Sequence, residues 1–303
     1  MSDTVELSKS TYADIIDKMI ANSTGAPVVT AQNVYQEGNR TNWPLLQRIV
    51  HDVLLPGSTI LGLDNLSELN DLARRKKACL ILMEHYSNFD IPCLYELLDR
   101  SEEGKKIAED IVSIAGVKLN EESPLVLAFT EIFTRVVLFP SRSMEGLKDP
   151  KARKEAEKRR AKLNIAAMKA LMKLRKEGKL ILVFPTGTRY RSWDPSTGRG
   201  LKEIDTYLKF YQYMVTVSIN GNCLLLNPNG KMDEDFPRRD VMIYTVSPVI
   251  KCSEFRREAL HSEEGKKAED SKRFVVDRVM AKLRDMHEET EKIRLVMRGA
   301  VKE

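Results

Sequence analysis

The sequence predicts an α/β protein: a mixed, mostly parallel sheet covered by helices on both faces, preceded by a smaller N-terminal helical region. Three observations predict it. From Thr59 onward, short apolar runs rich in β-formers alternate with helix-like segments. The strongest of these runs, Cys-Leu-Ile-Leu-Met at 79–83 and Leu-Ile-Leu-Val-Phe at 180–184, are continuously apolar, as strands buried on both faces are. Before Pro56-Gly57 the apolar period is that of helices.

The elements follow in order. Residues 1–57 form the helical region. Residues 7–21 carry apolar side chains at helical spacing, with Ser8 or Ser10 as N-cap, and Asn22-Ser-Thr-Gly-Ala-Pro27 breaks the helix. A second helix is expected over 43–55, stopped by Pro56-Gly57, with no strand before that point. Residues 58–303 form the α/β domain. Its strands are expected at 59–62, 78–83, 111–115, 136–139, 180–184, 214–219, 223–226 and 241–246, and helices at 67–76, 92–100, 124–133, 151–177 and 201–210. The two close strands around Asn220-Gly221 read as a hairpin, which would make the sheet mixed. A charged, amphipathic helix over 264–301 closes the chain.

Composition narrows the function classes. At 42% hydrophobic and 31% charged residues, a wholly disordered chain is excluded. No apolar run approaches the roughly 18 to 20 residues that span a bilayer, and the polar, acidic start Met1-Ser-Asp-Thr-Val-Glu6 lacks the order of a signal peptide. Four cysteines, Cys79, Cys93, Cys223 and Cys252, lie far apart without a Cys-x-x-Cys and read as buried thiols of a reducing compartment. A soluble, cytoplasmic protein is therefore expected, peripheral to a membrane at most, with neither metal nor cofactor. The net charge of +5 conceals a strong local one: residues 151–179 hold twelve Lys and Arg against three Glu, a local +9. In that segment Leu163, Ala166, Ala167, Ala170, Leu171 and Leu174 recur at helical spacing, while 151–162 is expected to project into solvent. Such a helix suits an anionic membrane surface or an acidic partner. Aromatic interleaving for base stacking is absent, so nucleic acid is not expected.

Three strand ends carry chemistry. The first is Glu84-His-Tyr-Ser-Asn-Phe-Asp90. Of the four histidines, His51, His261 and His287 sit in charged helical surroundings and read as surface or packing residues. His85 instead follows an apolar strand, and a helix with Pro92 in its first turn opens behind it. A turn could bring Asp90 back to the imidazole, fixing its tautomer and making His85 a general base for a hydroxyl nucleophile. The competing reading of Asp90 is a plain helix cap, and Ser87 reads as a turn residue rather than a nucleophile. The second is Phe184-Pro-Thr-Gly-Thr-Arg-Tyr-Arg191, where Gly187 permits positive φ or close approach of an anion. Arg189 and Arg191, two apart in an extended segment, would present two guanidinium forks to a phosphate; a solvated basic loop is the alternative. The third is Phe139-Pro-Ser-Arg-Ser143, with Arg142 among hydroxyls. If the three ends lie side by side, the site fits transfer to a hydroxyl of a phosphorylated substrate.

In order and approximate spacing, these blocks resemble the glycerolipid acyltransferases over roughly residues 58 to 250. The resemblance implies His85 as general base with Asp90 as its partner. It implies Arg142 and Arg189 as phosphate ligands, joined by Arg191, with Gly187 and Thr188 shaping the loop beside the oxyanion. Many members have Glu where this chain has Thr186 and Asn where it has Glu84. The block Thr186-Gly-Thr-Arg-Tyr-Arg191 is similar to that of the soluble plastid-type glycerol-3-phosphate acyltransferases, as is the helical N-terminal region. A further apolar strand block is degraded in Met214-Val-Thr-Val-Ser-Ile-Asn220. What the resemblance implies is acyl transfer from acyl-CoA or acyl carrier protein to glycerol-3-phosphate. A lysophosphatidate acyltransferase and a non-catalytic lipid-binding protein are the alternatives.

Overall fold

The computed structural model describes residues 9–144, 148–229 and 234–300. A 3-10 turn, Lys9–Tyr12, leads into α1 (Ala13–Asn22), followed by β1 (Tyr35–Gln36), α2 (Trp43–Val53), β2 (Thr59–Leu61), α3 (Leu63–Arg74), β3 (Cys79–Met83), α4 (Asp90–Leu98) and α5 (Glu102–Asp110). Then come β4 (Ile111–Gly116), α6 (Lys118–Glu121), α7 (Pro124–Thr130), β5 (Arg135–Leu138), a 3-10 turn at Ser141–Met144, α8 (Pro150–Glu177), β6 (Leu180–Val183) and α9 (Glu203–Phe210). The last third holds β7 (Tyr213–Asn220), β8 (Leu224–Leu225), β9 (Phe236–Pro237), β10 (Ile243–Val246), β11 (Ile250–Lys251), α10 (Cys252–His261), α11 (Glu263–Lys267) and α12 (Ser271–Ala300).

The nine-stranded sheet runs β1-β5-β4-β6-β3-β7-β10-β2, with β11 also on β7. From β5 to β7 all neighbours are parallel, so these strands present their C-terminal ends along one edge. β1, β10 and β11 are antiparallel to their neighbours in that block, and β2 is parallel to β10. The expected mixed, mostly parallel α/β sheet is what forms. Alternation along the strands fills two cores: Cys79, Ile81 and Met83 pack with α2, α3 and α4 on one face, and Leu80 and Leu82 with α8, α9 and α12 on the other. All four cysteines are buried. Among the described residues no helix is long and apolar enough to cross a membrane.

Several local expectations differ. The first α-helix starts at Ala13 rather than Leu7, with Ser10 inside the preceding 3-10 turn; Leu7 and Ser8 lie outside the described residues. A strand does precede residue 57, for Tyr35–Gln36 pairs with Val136 and Arg135. Asn220-Gly221 is not a hairpin turn: β7 pairs laterally with β10, and β8 leaves the sheet to pair with β9. Gly221 has φ +93°, and a Cβ there would stand 2.1 Å from the Val241 carbonyl oxygen, so the glycine serves a close crossing of two chain segments. The C-terminal stretch is broken into α11 and α12, and Val301 lies outside the described residues.

α8 is the longest crossover. Asp149 caps it, accepting from the amides of Lys151 (3.2 Å) and Ala152 (3.0 Å), and Gly178 at φ 86° ends it. Leu163, Ala167, Leu171 and Leu174 are its buried stripe, as expected. The Asn164 amide brackets Phe139, accepting from its N–H (2.8 Å) and donating to its carbonyl (3.1 Å). Residue 164 thus stands level with the end of β5, and the preceding turns overhang that sheet edge by about 20 Å.

Candidate active site

The chain leaves β3 at Met83 on the C-terminal edge and turns through Glu84–Phe89 before α4 begins at Asp90. That turn is wound around the Asp90 carboxylate, which is fully buried. Its Oδ2 accepts from the amides of Tyr86 (2.6 Å) and Ser87 (3.0 Å), and its Oδ1 accepts from the Ser87 hydroxyl (3.0 Å). The same Oδ2 lies 2.9 Å from His85 Nδ1. A carboxylate that accepts only directs Nδ1 to carry the proton, leaving Nε2 as a lone-pair acceptor. The imidazole stacks on Phe184 with centroids 3.8 Å apart and an interplanar angle of 14°. With its side chain 16% exposed, His85 is held on two sides and still reachable.

Phe184 is the first residue after β6, which lies directly beside β3. The loop that follows is tied to the His85 turn, for the Tyr190 amide donates to the His85 carbonyl at 2.8 Å. Gly187 takes φ +63° and closes a tight turn, its amide donating to the Phe184 carbonyl at 2.9 Å. That amide is therefore committed within the turn that Gly187 shapes. The amides of Thr188 and Arg189 donate to no described residue, while the Thr188 carbonyl accepts from the Thr186 hydroxyl at 2.6 Å.

The arginines have separate fates. Arg189 is buried, and its Nη1 is ion-paired with Asp235, whose Oδ1 accepts from the Asn227 amide at 3.0 Å. Arg191 is half-buried; its side chain has no ion pair among the described residues, and its amide donates to the Thr197 hydroxyl at 2.8 Å. Arg142 is exposed on the 3-10 turn after β5. β4 separates β5 from β6, so this strand end stands two spacings from the His85 turn's neighbour, roughly 10 Å away. The first two blocks therefore end neighbouring strands of the sheet, and the third ends a strand that is not their neighbour.

Two partners escaped sequence reading. Asp235 is one. The other is a second histidine–carboxylate contact: His287 Nδ1 of α12 lies 3.0 Å from Glu84 Oε2, and Glu84 also accepts from the Ile219 amide (2.8 Å) and the Tyr86 hydroxyl (3.1 Å). His287 is thus a packing residue that partners the residue beside the general-base candidate. Burial works to lower the His287 pKa, but the hydrogen bond and charge of Glu84, with Glu291, outweigh it, and the net shift is upward. Burial and Glu84 push the Tyr86 phenol up, so it remains a donor at neutral pH. A carboxylate at the end of a wholly apolar strand was the available signal, since such a group needs a partner.

A buried carboxylate orienting a reachable imidazole at the C-terminal edge of parallel strands, beside an arginine-bearing loop, is an arrangement for activating a hydroxyl. The acyltransferase family model matches residues 61–236, more than half of the chain and all three blocks, and the protein belongs to that family, the glycerolipid acyltransferases. No curated protein matches the chain.

Proposed function

We propose that the protein transfers a fatty acyl group from a thioester, acyl-CoA or acyl carrier protein, to a hydroxyl of glycerol-3-phosphate, in the manner of the soluble plastid-type enzymes. The observation that carries this reading is the His85–Asp90 contact of 2.9 Å, with the imidazole stacked on the loop that bears Arg189 and Arg191. His85 Nε2 removes the proton as the acceptor oxygen attacks the thioester carbonyl, and Asp90 stabilises the imidazolium. The tetrahedral intermediate places its negative charge toward the uncommitted amides of Thr188 and Arg189. Its collapse breaks the C–S bond, and the imidazolium returns the proton to the departing thiolate. Arg191 anchors the acceptor phosphate with a fork that holds no ion pair among the described residues. Arg189 contributes the donors that Asp235 leaves unused, and Arg142 adds long-range positive charge.

The test is thiol release by the purified protein with glycerol-3-phosphate and with lysophosphatidate, each offered both donors. Turnover with glycerol-3-phosphate supports the proposal. Turnover with lysophosphatidate alone would assign the other acceptor, and none with either would leave a lipid-binding role. His85→Ala should stay folded and lose about 10² to 10⁴ in rate; near-wild-type turnover in that variant would sink the mechanism.

A further inference from the structure

The outward face of α8 carries a feature that charge counting alone does not reveal. Ile165 and Met172 are 59% and 52% exposed, on the side opposite the buried stripe of Leu163, Ala167, Leu171 and Leu174, and Met168, 38% exposed, lies on the flank about 60° from Ile165. At about 100° per residue, Lys154, Lys158, Lys169, Met172 and Lys176 all fall within about 40° of Ile165. All four of those lysines are exposed. The helix's glutamates stand about 80° or more from that line, and Glu157 and Glu177 face Arg153 and Lys173. The result is an outward face on which Ile165 and Met172 line up with four lysines, with Met168 at its margin and the glutamates to either side. Arg159, which sequence reading counted among the solvent-facing charges, instead turns back to Glu121 and to the Val29 carbonyl, 3.2 Å away.

We infer that this face of α8 is a docking surface for an anionic phospholipid bilayer, with Ile165, Met168 and Met172 entering the headgroup–acyl boundary and the lysines meeting lipid phosphates. A rigid helix of 28 residues offers a line about 42 Å long, which suits a plane. The line continues at its C-terminal end. There Arg175 donates to the Phe210 carbonyl at 2.8 Å, and Phe210 is 54% exposed beside a groove that Lys76 and Lys176 also line. Long lysine stems lie along apolar surface while their ammonium groups reach the phosphates, so the two residue types act together. The overhanging N-terminal turns of the helix lie on the edge where the His85 turn sits, so docking would bring that edge close to the lipid surface.

The test is sedimentation of the full chain with vesicles of phosphatidylglycerol and phosphatidylcholine, against phosphatidylcholine alone, at low and high salt. The wild type should bind the anionic vesicles, with salt weakening but not abolishing binding. Each lysine near the surface contributes about fivefold in affinity, so Lys154→Gln with Lys158→Gln and Lys169→Gln should cost about 100-fold. Ile165→Ser with Met168→Ser and Met172→Ser should cost about tenfold or more at unchanged charge. Failure of the wild type to bind, or binding by the serine variant equal to wild type, would overturn the inference. So would a wild-type dimer that the serine variant dissolves while vesicle binding persists, since the stripe would then be an interface between copies. So would loss of acyl carrier protein binding in the serine variant with vesicle binding intact. If the serine variant melts early, Met172→Cys carrying an environment-sensitive dye replaces it. A blue shift on anionic vesicles is then the expected result, and no shift refutes the docking.

Discussion

Asp90 offers the sharpest separation of folding from chemistry, because two substitutions at one buried carboxylate should fail in different ways. In Asp90→Ala, the Tyr86 amide, the Ser87 amide and the Ser87 hydroxyl all lose the acceptor they share. An unsatisfied buried donor costs about 1–3 kcal/mol. Ser87 is 1% exposed, so its groups bear that cost in full, whereas Tyr86 and His85 are half-buried. The sum is about 2–6 kcal/mol, or roughly 3 to 9 °C in Tm for a chain of this size. In Asp90→Asn the amide oxygen can keep the place of Oδ2 and both backbone donors. The NH2 then points at the Ser87 hydroxyl, which already accepts from the Phe89 amide (3.1 Å) and has a second lone pair to offer. Little stability is lost, about 1 kcal/mol. The negative charge opposite the imidazolium is gone, however, and turnover should fall by about 10² to 10⁴. Thermal melts and thiol-release kinetics on both variants decide the matter. An Asn variant within tenfold of wild-type turnover would refute the catalytic assignment, and an Ala variant melting with the wild type would refute the hydrogen-bond reasoning.

Arg191→Ala should raise the KM for glycerol-3-phosphate by about tenfold or more, with the donor KM and Tm nearly unchanged, since this side chain holds no ion pair among the described residues. Arg189→Ala should instead destabilise by about 3–5 kcal/mol by leaving Asp235 buried and unpaired; equal KM changes for both substrates in the first variant, or a wild-type melt in the second, would contradict these roles. The His287–Glu84 contact should make α12 docking pH-dependent. Its upward-shifted pKa means the stabilisation is fully present below the unfolded value of about 6.5 and is lost as pH rises through the folded one. The Tm difference between wild type and His287→Gln should therefore shrink toward alkaline pH, and a difference constant across pH would show that protonation is not involved.

How much of this was legible in the sequence follows from how far apart partners lie along the chain. The runs of β3 and β6 were plain because both faces are buried, which demands an apolar residue at every position. β1 was not, because an edge strand of two residues, Tyr35 and Gln36, buries too little to need a pattern. Asn220-Gly221 misled for a related reason. The dipeptide suits a hairpin, yet Gly221 is required by the nearness of Val241, and Asn220 is held by α12 through its side-chain donation to the His287 carbonyl at 2.9 Å. Both constraints are tertiary, and no local pattern encodes them.

The same distinction governs the site. His85 and Asp90 are five residues apart, so the turn between them is itself the device that joins them, and every atom that holds the carboxylate comes from residues 85–87. A local device of that kind can be read from residue types and spacing. Arg189 and Arg191 are equally close in sequence, but what distinguishes them is Asp235, which lies 46 residues beyond Arg189 and enters from another part of the fold. A cation committed to a buried carboxylate must keep that pair intact to remain stable, whereas a cation without one is free to reorient toward a ligand. Reading the pair of arginines as a single phosphate clamp therefore joins two different physical situations. Arg189 keeps its fork in place through a structural ion pair, and under the proposed mechanism Arg191 would move onto the phosphate at little cost in stability. Under the proposed function, the affinity of the acceptor site would then be set chiefly by the residue that contributes least to the fold.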